Sequence, residues 1–309
     1  MQGRLYGLDA LRGIAALLVA LHHLQSTYSN YFLPVAAVSA VDLFLVISGY
    51  VMARTYDRKL ASDLAARAFI ALRYRRLAPC MAVGAFFGFL IYNDGSWHAF
   101  AALVAALTFM PFPFFGGIFT INIPTWSLFV EIVCNAVHKF LTAKVLWAAL
   151  IVSCAIFIPP TLANGQTYWG SDMASLGIAT ARGLACYILG ILTFRRFTDR
   201  PLGNPYLAIA GMPVLLLIGA HLPGGIFAVA FVVVAPLIVL GALNFPHPAH
   251  LVGGLSFPLY AIHLPVIQLC NALGASIPWA MGSVALATAL LYLAIERRRP
   301  KGRAVFAQA

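Results

Sequence analysis

The chain has 309 residues, of which 62% are hydrophobic and 9% charged, with a formal net charge of +11. Soluble domains carry roughly a quarter of their residues as charged side chains, so this composition excludes a globular domain clothed by water. The basic balance does not mark a nucleic-acid binder either. The charges fall in short segments between apolar runs, where anionic lipid headgroups account for them.

Apolar runs of a length that crosses a ~30 Å hydrocarbon core recur at about 7–27, 35–54, 77–93, 119–138, 144–160, 173–194, 205–220, 225–243, 251–272 and 278–296. They predict an all-α, polytopic transmembrane bundle of about ten spans over 1–297, followed by a short basic tail, 298–309. The run 98–110 is too short to cross alone and stops at Pro111 and Pro113, so a re-entrant or interfacial segment is expected there. The first run lacks a small-residue cleavage site and carries charges, so it reads as a retained span. The basic stretch 55–76 is amphipathic enough to lie on the membrane as a helix.

Charge placement fixes the orientation. With the N-terminus inside, the inside loops hold Arg54 through Arg76, Lys139, Lys144, Arg195, Arg196 and Arg200, and the tail adds Arg297, Arg298, Arg299, Lys301 and Arg303. The outside loops hold neither Lys nor Arg. The positive-inside rule then predicts that both termini are cytoplasmic. Counting 98–110 as a full span inverts every later loop and destroys the pattern. Five cysteines are scattered without a C-x-x-C pair, so they are expected as buried small residues, with neither disulfide nor metal.

Ionisable residues inside spans are costly and by default face a cavity or a partner. In the first span, Arg12 and His23 are eleven positions apart, about 20° of net rotation, and share a face at roughly 16 Å along the axis. Asp9 lies on the same side, whereas His22 points about 80° away. The plain alternative is an interfacial Asp–Arg pair at one end and boundary histidines at the other. The second span carries Asp42, and the fourth carries Glu131 with Ser127 one turn before it. The sixth carries Arg182, and the ninth places Ser256, Tyr260 and His263 on one stripe. Each has a structural reading as a satisfied polar residue; together they predict a polar cavity. Before the third span, Arg73, Arg75, Arg76 and Pro79 stand in ALRYRRLAP, where guanidinium forks suit phosphate and positive-inside anchoring is the simpler explanation.

These segments resemble acyltransferase family 3, the bacterial membrane O-acyltransferases that modify lipopolysaccharide, exopolysaccharide and related glycans. The family's Arg/Lys-x10-His motif is matched by Arg12 and His23 in LDALRG…H, and its D-x-F-F-V-I-S-G-Y stretch is similar to Asp42–Tyr50. R-x-x-R-x-x-P is matched by Arg73, Arg76 and Pro79, and W-S-L-S-x-E by Trp126, Ser127, Leu128 and Glu131. The late S-x-S-L-Y-x-x-H is similar to Ser256, Leu259, Tyr260 and His263. Three positions depart from the pattern: Phe129, Ile132 and Pro258 stand where polar residues are common.

The resemblance implies acyl transfer, usually acetyl, from acyl-CoA to a sugar hydroxyl of a cell-surface polysaccharide or its lipid-linked precursor. It implies a multi-pass protein of the bacterial inner membrane, without the extra periplasmic hydrolase-like domain of some members. No tightly bound cofactor is expected; acetyl-CoA is a donor substrate. Expected catalytic residues are His23 as general base, Arg12 and Asp9, with Asp9 or another carboxylate orienting the site. Arg73, Arg76 and Arg182 are expected to bind acyl-CoA. Asp42, Trp126, Ser127, Glu131, Tyr260 and His263 are expected to line the acceptor site or cavity. Partners are the acyl-CoA, the glycan or lipid-linked sugar, membrane lipids and, as an open choice, polysaccharide-assembly proteins. A transporter or channel using the buried polar residues as a solute path is the alternative, and a non-enzymatic scaffold is a third.

Overall fold

The computed structural model describes residues 4–165 and 168–298. Among these residues eleven α-helices run in order: α1 (Tyr6–Thr27), α2 (Ala37–Ala61), α3 (Ala66–Tyr92), α4 (Trp97–Thr108), α5 (Thr125–His138), α6 (Ala143–Asn164), α7 (Met173–Phe197), α8 (Pro205–Gly219), α9 (Gly224–Ala242), α10 (His250–Ala272) and α11 (Ile277–Leu291). A π-helical turn, Tyr292–Glu296, extends α11. No strand occurs among the described residues beyond an isolated bridge between Phe114 and Gly117.

Eight helices are long and apolar enough to cross a membrane: α1, α2, α3, α6, α7, α9, α10 and α11 with its π turn. The helices α5 and α8 fall on two further predicted spans but have only 14 and 15 residues. With 12 residues, α4 is the short segment expected near 98–110. The chain is therefore a multi-pass helical membrane protein.

Two expectations need correction. The stretch 55–76 is not a separate surface helix. It is split between the end of α2 and the start of α3, joined by 62–65. Its Ala, Leu and Arg residues are strong helix formers, so the arginines simply prolong α3 beyond the apolar run. The run 119–138 is helical only from Thr125. Ile123 precedes Pro124, which steers it out of the helical region, and residues 119–124 close instead through turn bonds such as Asn122 N–H to Phe119 O at 3.1 Å. The tail residues 299–309 lie outside the described residues.

The packing follows two close helix pairs, α2 with α7 and α1 with α10. Glycines permit the first approach. A Cβ on Gly49 would stand 2.0 Å from Tyr187 O, and one on Gly190 would stand 2.0 Å from Val46 O. Small residues at such crossings let backbones meet where the membrane supplies no hydrophobic drive. At the same interface Arg182 Nε donates to Asp42 Oδ1 at 2.9 Å, its Nη2 donates to Asp42 Oδ2, and Cys186 Sγ lies 3.7 Å from the same carboxylate. Nearer the arginine-rich end, His138 bridges Asp57 (2.9 Å) and the Tyr187 hydroxyl (2.7 Å), tying α5 to α2 and α7.

Candidate active site

The proline pattern of α10 prepares the centre of the molecule. Pro265 has no N–H, so the carbonyl of Ala261, four residues earlier, loses its helical donor. Asn122 Nδ2 supplies one at 2.9 Å. That bond fastens the 119–124 turn to α10 between Tyr260 and His263. Gly84 of α3 makes room, since a Cβ there would stand 2.2 Å from the same carbonyl oxygen.

Two chambers lie end to end around this junction. The first, about 140 Å³, has its polar lining from Arg12, Ser48, Arg73, Arg76, Ser127, Glu131 and Ser256. It occupies the half of the bundle where α2 ends and α3 begins, which is the arginine-rich end. The second, about 390 Å³, is lined by His22, His23, Tyr92, Trp126, the 115–124 segment and Tyr168–Ser171. It occupies the half where α1 ends and α2 begins. Val41 and Tyr260 line both chambers.

The arginines of the first chamber are not equivalent. Arg73 Nη2 donates to Glu131 Oε1 at 2.7 Å, and Ser48 Oγ donates to the same oxygen at 3.0 Å. Arg76 donates to Glu296, whose carboxylate also accepts from the Cys80 thiol at 3.9 Å. Arg12 has no hydrogen-bond or ion-pair partner among the described residues. Two carboxylates thus offset two of three guanidiniums, and Arg12 carries the uncompensated positive charge.

Tyr260 stands between the chambers. The Ser127 and Tyr260 hydroxyls lie 2.6 Å apart, and both reach the Pro124 carbonyl, at 3.2 and 3.4 Å, so one donates to the other and the other donates to that carbonyl. Phe44 packs edge-on against the same ring, with centroids 5.7 Å apart. The junction between the chambers is therefore a hydrogen-bonded aromatic side chain.

In the second chamber the two adjacent histidines separate as the helical phase predicts. His22 bonds the Tyr168 hydroxyl at 2.6 Å and stacks on that ring. His23 has no hydrogen-bond partner among the described residues and lines the cavity. Its ring centroid lies 5.2 Å from that of His263.

The structure thus joins Arg12, Arg73, Arg76, Ser127, Glu131 and Tyr260 in one chamber, and His23, Trp126 and Tyr260 in the other. Four expected site residues stand elsewhere. Asp9 pairs with Arg4 (2.5 Å), not with Arg12, and sits some 21 Å along α1 from His23, too far to orient it. Arg182 and Asp42 are occupied with each other in the α2–α7 interface, away from Arg73 and Arg76. His263 is fully buried and lines neither chamber; it stands behind His23. Sequence reasoning passed over Ser48 and Glu296. Ser48 was visible inside DLFLVISGY. The signal for Glu296 was an acid closing a span directly before a basic run.

These features define a multi-pass membrane protein with two chambers inside its bundle, one rich in arginine and one lined by histidine and aromatic side chains. The chain belongs to acyltransferase family 3, whose profile, described as an acyltransferase domain, matches residues 5–296. It is accordingly a membrane acyltransferase that transfers groups other than aminoacyl groups. It is similar to a protein of Rhizobium radiobacter described as Protein 2 in picA locus, 34% identical over 154 residues, which cover 42% of this chain and 78% of that protein. No solved structure matches.

Proposed function

We propose that this acyltransferase moves an acetyl group from acetyl-CoA to a sugar hydroxyl of a cell-surface polysaccharide or its lipid-linked precursor, in the inner membrane of a bacterium. The observation that carries the reading is the pair of chambers meeting at Tyr260. One is basic and holds Arg12; the other is lined by His23. Coenzyme A is cytosolic and polyanionic, which suits the arginine-rich end. Its pantetheine arm is long and thin, and it reaches past Tyr260 to bring the thioester to His23.

In this reading His23 takes the proton of the acceptor hydroxyl as its oxygen bonds to the thioester carbonyl carbon. The C–S bond then breaks, and the departing thiolate takes the proton back from His23. Arg12 stands about 16 Å from His23, so its charge serves the donor and not the oxyanion. Arg73 and Arg76 shape the donor chamber through their carboxylate partners.

The test is acetyl transfer from acetyl-CoA to surface glycan by membranes carrying His23→Ala. A loss of about 10²–10⁴-fold is expected, the usual range for a general base, with His22→Ala milder. Near-normal transfer by His23→Ala sinks the assignment. Unchanged glycan acetyl content between a deletion strain and its complemented parent sinks the choice of acceptor.

A further inference from the structure

Histidine bases in enzymes are held in one tautomer by a partner on the second ring nitrogen, most often a carboxylate. No carboxylate lines the chamber of His23 among the described residues. The titratable groups around it are His22 on α1, Tyr260 and His263 on α10, Tyr92 on α3 and Tyr168 in the loop before α7. His22 and Tyr168 are bonded to each other, and the Tyr260 hydroxyl is bonded to Ser127 and Pro124 O.

His263 has the chemistry that remains. Its Nδ1 lies 3.0 Å from Leu259 O, and a carbonyl only accepts, so Nδ1 carries the proton. The Nε2 of the neutral ring is then a bare acceptor. It is buried and has no hydrogen-bond partner among the described residues. An unmet buried acceptor is costly, and such groups in a native fold have a use. The rings of His263 and His23 have centroids 5.2 Å apart. No hydrogen bond joins the two rings as they stand, so their pairing requires the His23 ring to turn about its Cβ–Cγ bond.

We infer that His263 is the positioning residue for His23: when the His23 ring turns toward it, its Nε2 accepts the ring N–H of His23 and leaves the other His23 nitrogen unprotonated toward the chamber. This rests on His23 being the base. The Leu259 carbonyl fixes His263, and His263 fixes His23, so backbone geometry sets the tautomer of the reacting ring. The bond formed is a hydrogen bond only. The substrate proton still goes to His23 and then to the thiolate.

The experiment compares His263→Gln, which keeps an acceptor near the Nε2 position, with His263→Leu, which removes it, in full-length protein in lipid nanodiscs. With acetyl-CoA as donor, kcat is expected to fall about 100-fold in His263→Leu with the donor KM unchanged, and to stay within about tenfold of the parent in His263→Gln. In a His23→Ala background, adding His263→Leu is expected to change the residual rate little. Independently of activity, the ¹⁵N spectrum of histidine-labelled protein, assigned by subtraction of a His23→Gln sample, is expected to show one His23 tautomer in the parent and a mixture in His263→Leu. A His23 signal that keeps one tautomer in His263→Leu overturns the inference, as does a His263→Gln variant as slow as His263→Leu. Loss of the single tautomer without any acyl transfer by the parent retains the pair and refutes the enzyme mechanism alone.

Discussion

Among single residues, the uneven pairing of the cationic groups decides what each one does. Arg12 faces the first chamber without a counter-ion among the described residues, whereas Arg182 is held by Asp42 inside the α2–α7 interface. Arg12→Gln is therefore expected to raise the donor KM by about ten- to a hundredfold, the loss of roughly one charge-assisted contact to an anion, while leaving thermal stability near that of the parent. The opposite is expected of Asp42→Asn or Arg182→Met. Each leaves half of a buried pair, at a cost of about 3–5 kcal/mol, whereas Asp42→Leu with Arg182→Met removes both charges and recovers most of that loss. Melting in detergent read beside donor kinetics separates the two classes. Equal destabilisation by all of these variants contradicts the division. That Arg12 and His23 share a face of α1 while His22 turns away was legible because a helix of 22 residues has one regular period. The partners of Asp42, Arg73 and Arg76 were hidden because they lie 140, 58 and 220 positions away in sequence. Asp9 was misjudged because proximity along a helix face did not reveal Arg4, which reaches it from outside the helix.

Individual elements hold the site in place through backbone contact as much as through side chains. Gly49 and Gly190 sit where α2 and α7 touch, and Gly49→Ala or Gly190→Ala places a methyl group against a carbonyl oxygen at 2.0 Å. Either change is expected to cost at least about 1–3 kcal/mol and to lower the yield of folded protein in size-exclusion profiles. Gly211→Ala and Gly282→Ala, where nothing lies within 4 Å of the added carbon, serve as neutral controls. The start of α7 offers a pH test. The Asp172 side chain accepts from the Ser175 N–H at 2.9 Å, and these cap bonds hold its carboxyl below the usual carboxylate range. A depressed pKa stabilises the fold above the unfolded-state value, and the contribution disappears as pH falls through the folded-state pKa. Asp172→Ala is thus expected to melt earlier than the parent at pH 7, and the two curves are expected to converge in acid. Helix count and order were legible because apolar runs announce themselves by length. The 119–124 turn was not, because Phe119 and Ile121 are as apolar as a span, and only Pro124 and the distant carbonyl of Ala261 reveal their purpose.

As a whole, the molecule arranges two half-depth cavities in a wall that otherwise separates two aqueous phases. Their separation rests on few atoms: Tyr260 and Val41 line both, and Tyr260 is anchored to Ser127 at the start of α5. In a membrane that stores energy as an ion gradient, such as the proposed inner membrane, a continuous wet bore is a short circuit. In the proposed reaction the phenol is an insulator between the phases, opened only by an arm slender enough to fill the gap it leaves. Tyr260→Ala, made together with His23→Ala to silence chemistry, is therefore expected to let protons pass. Proteoliposomes containing a pH dye should lose an imposed pH difference faster with that variant than with His23→Ala alone, and Tyr260→Phe, which keeps the ring, should remain nearly tight. An acyl carrier threaded through the bundle would then serve as substrate and stopper at once.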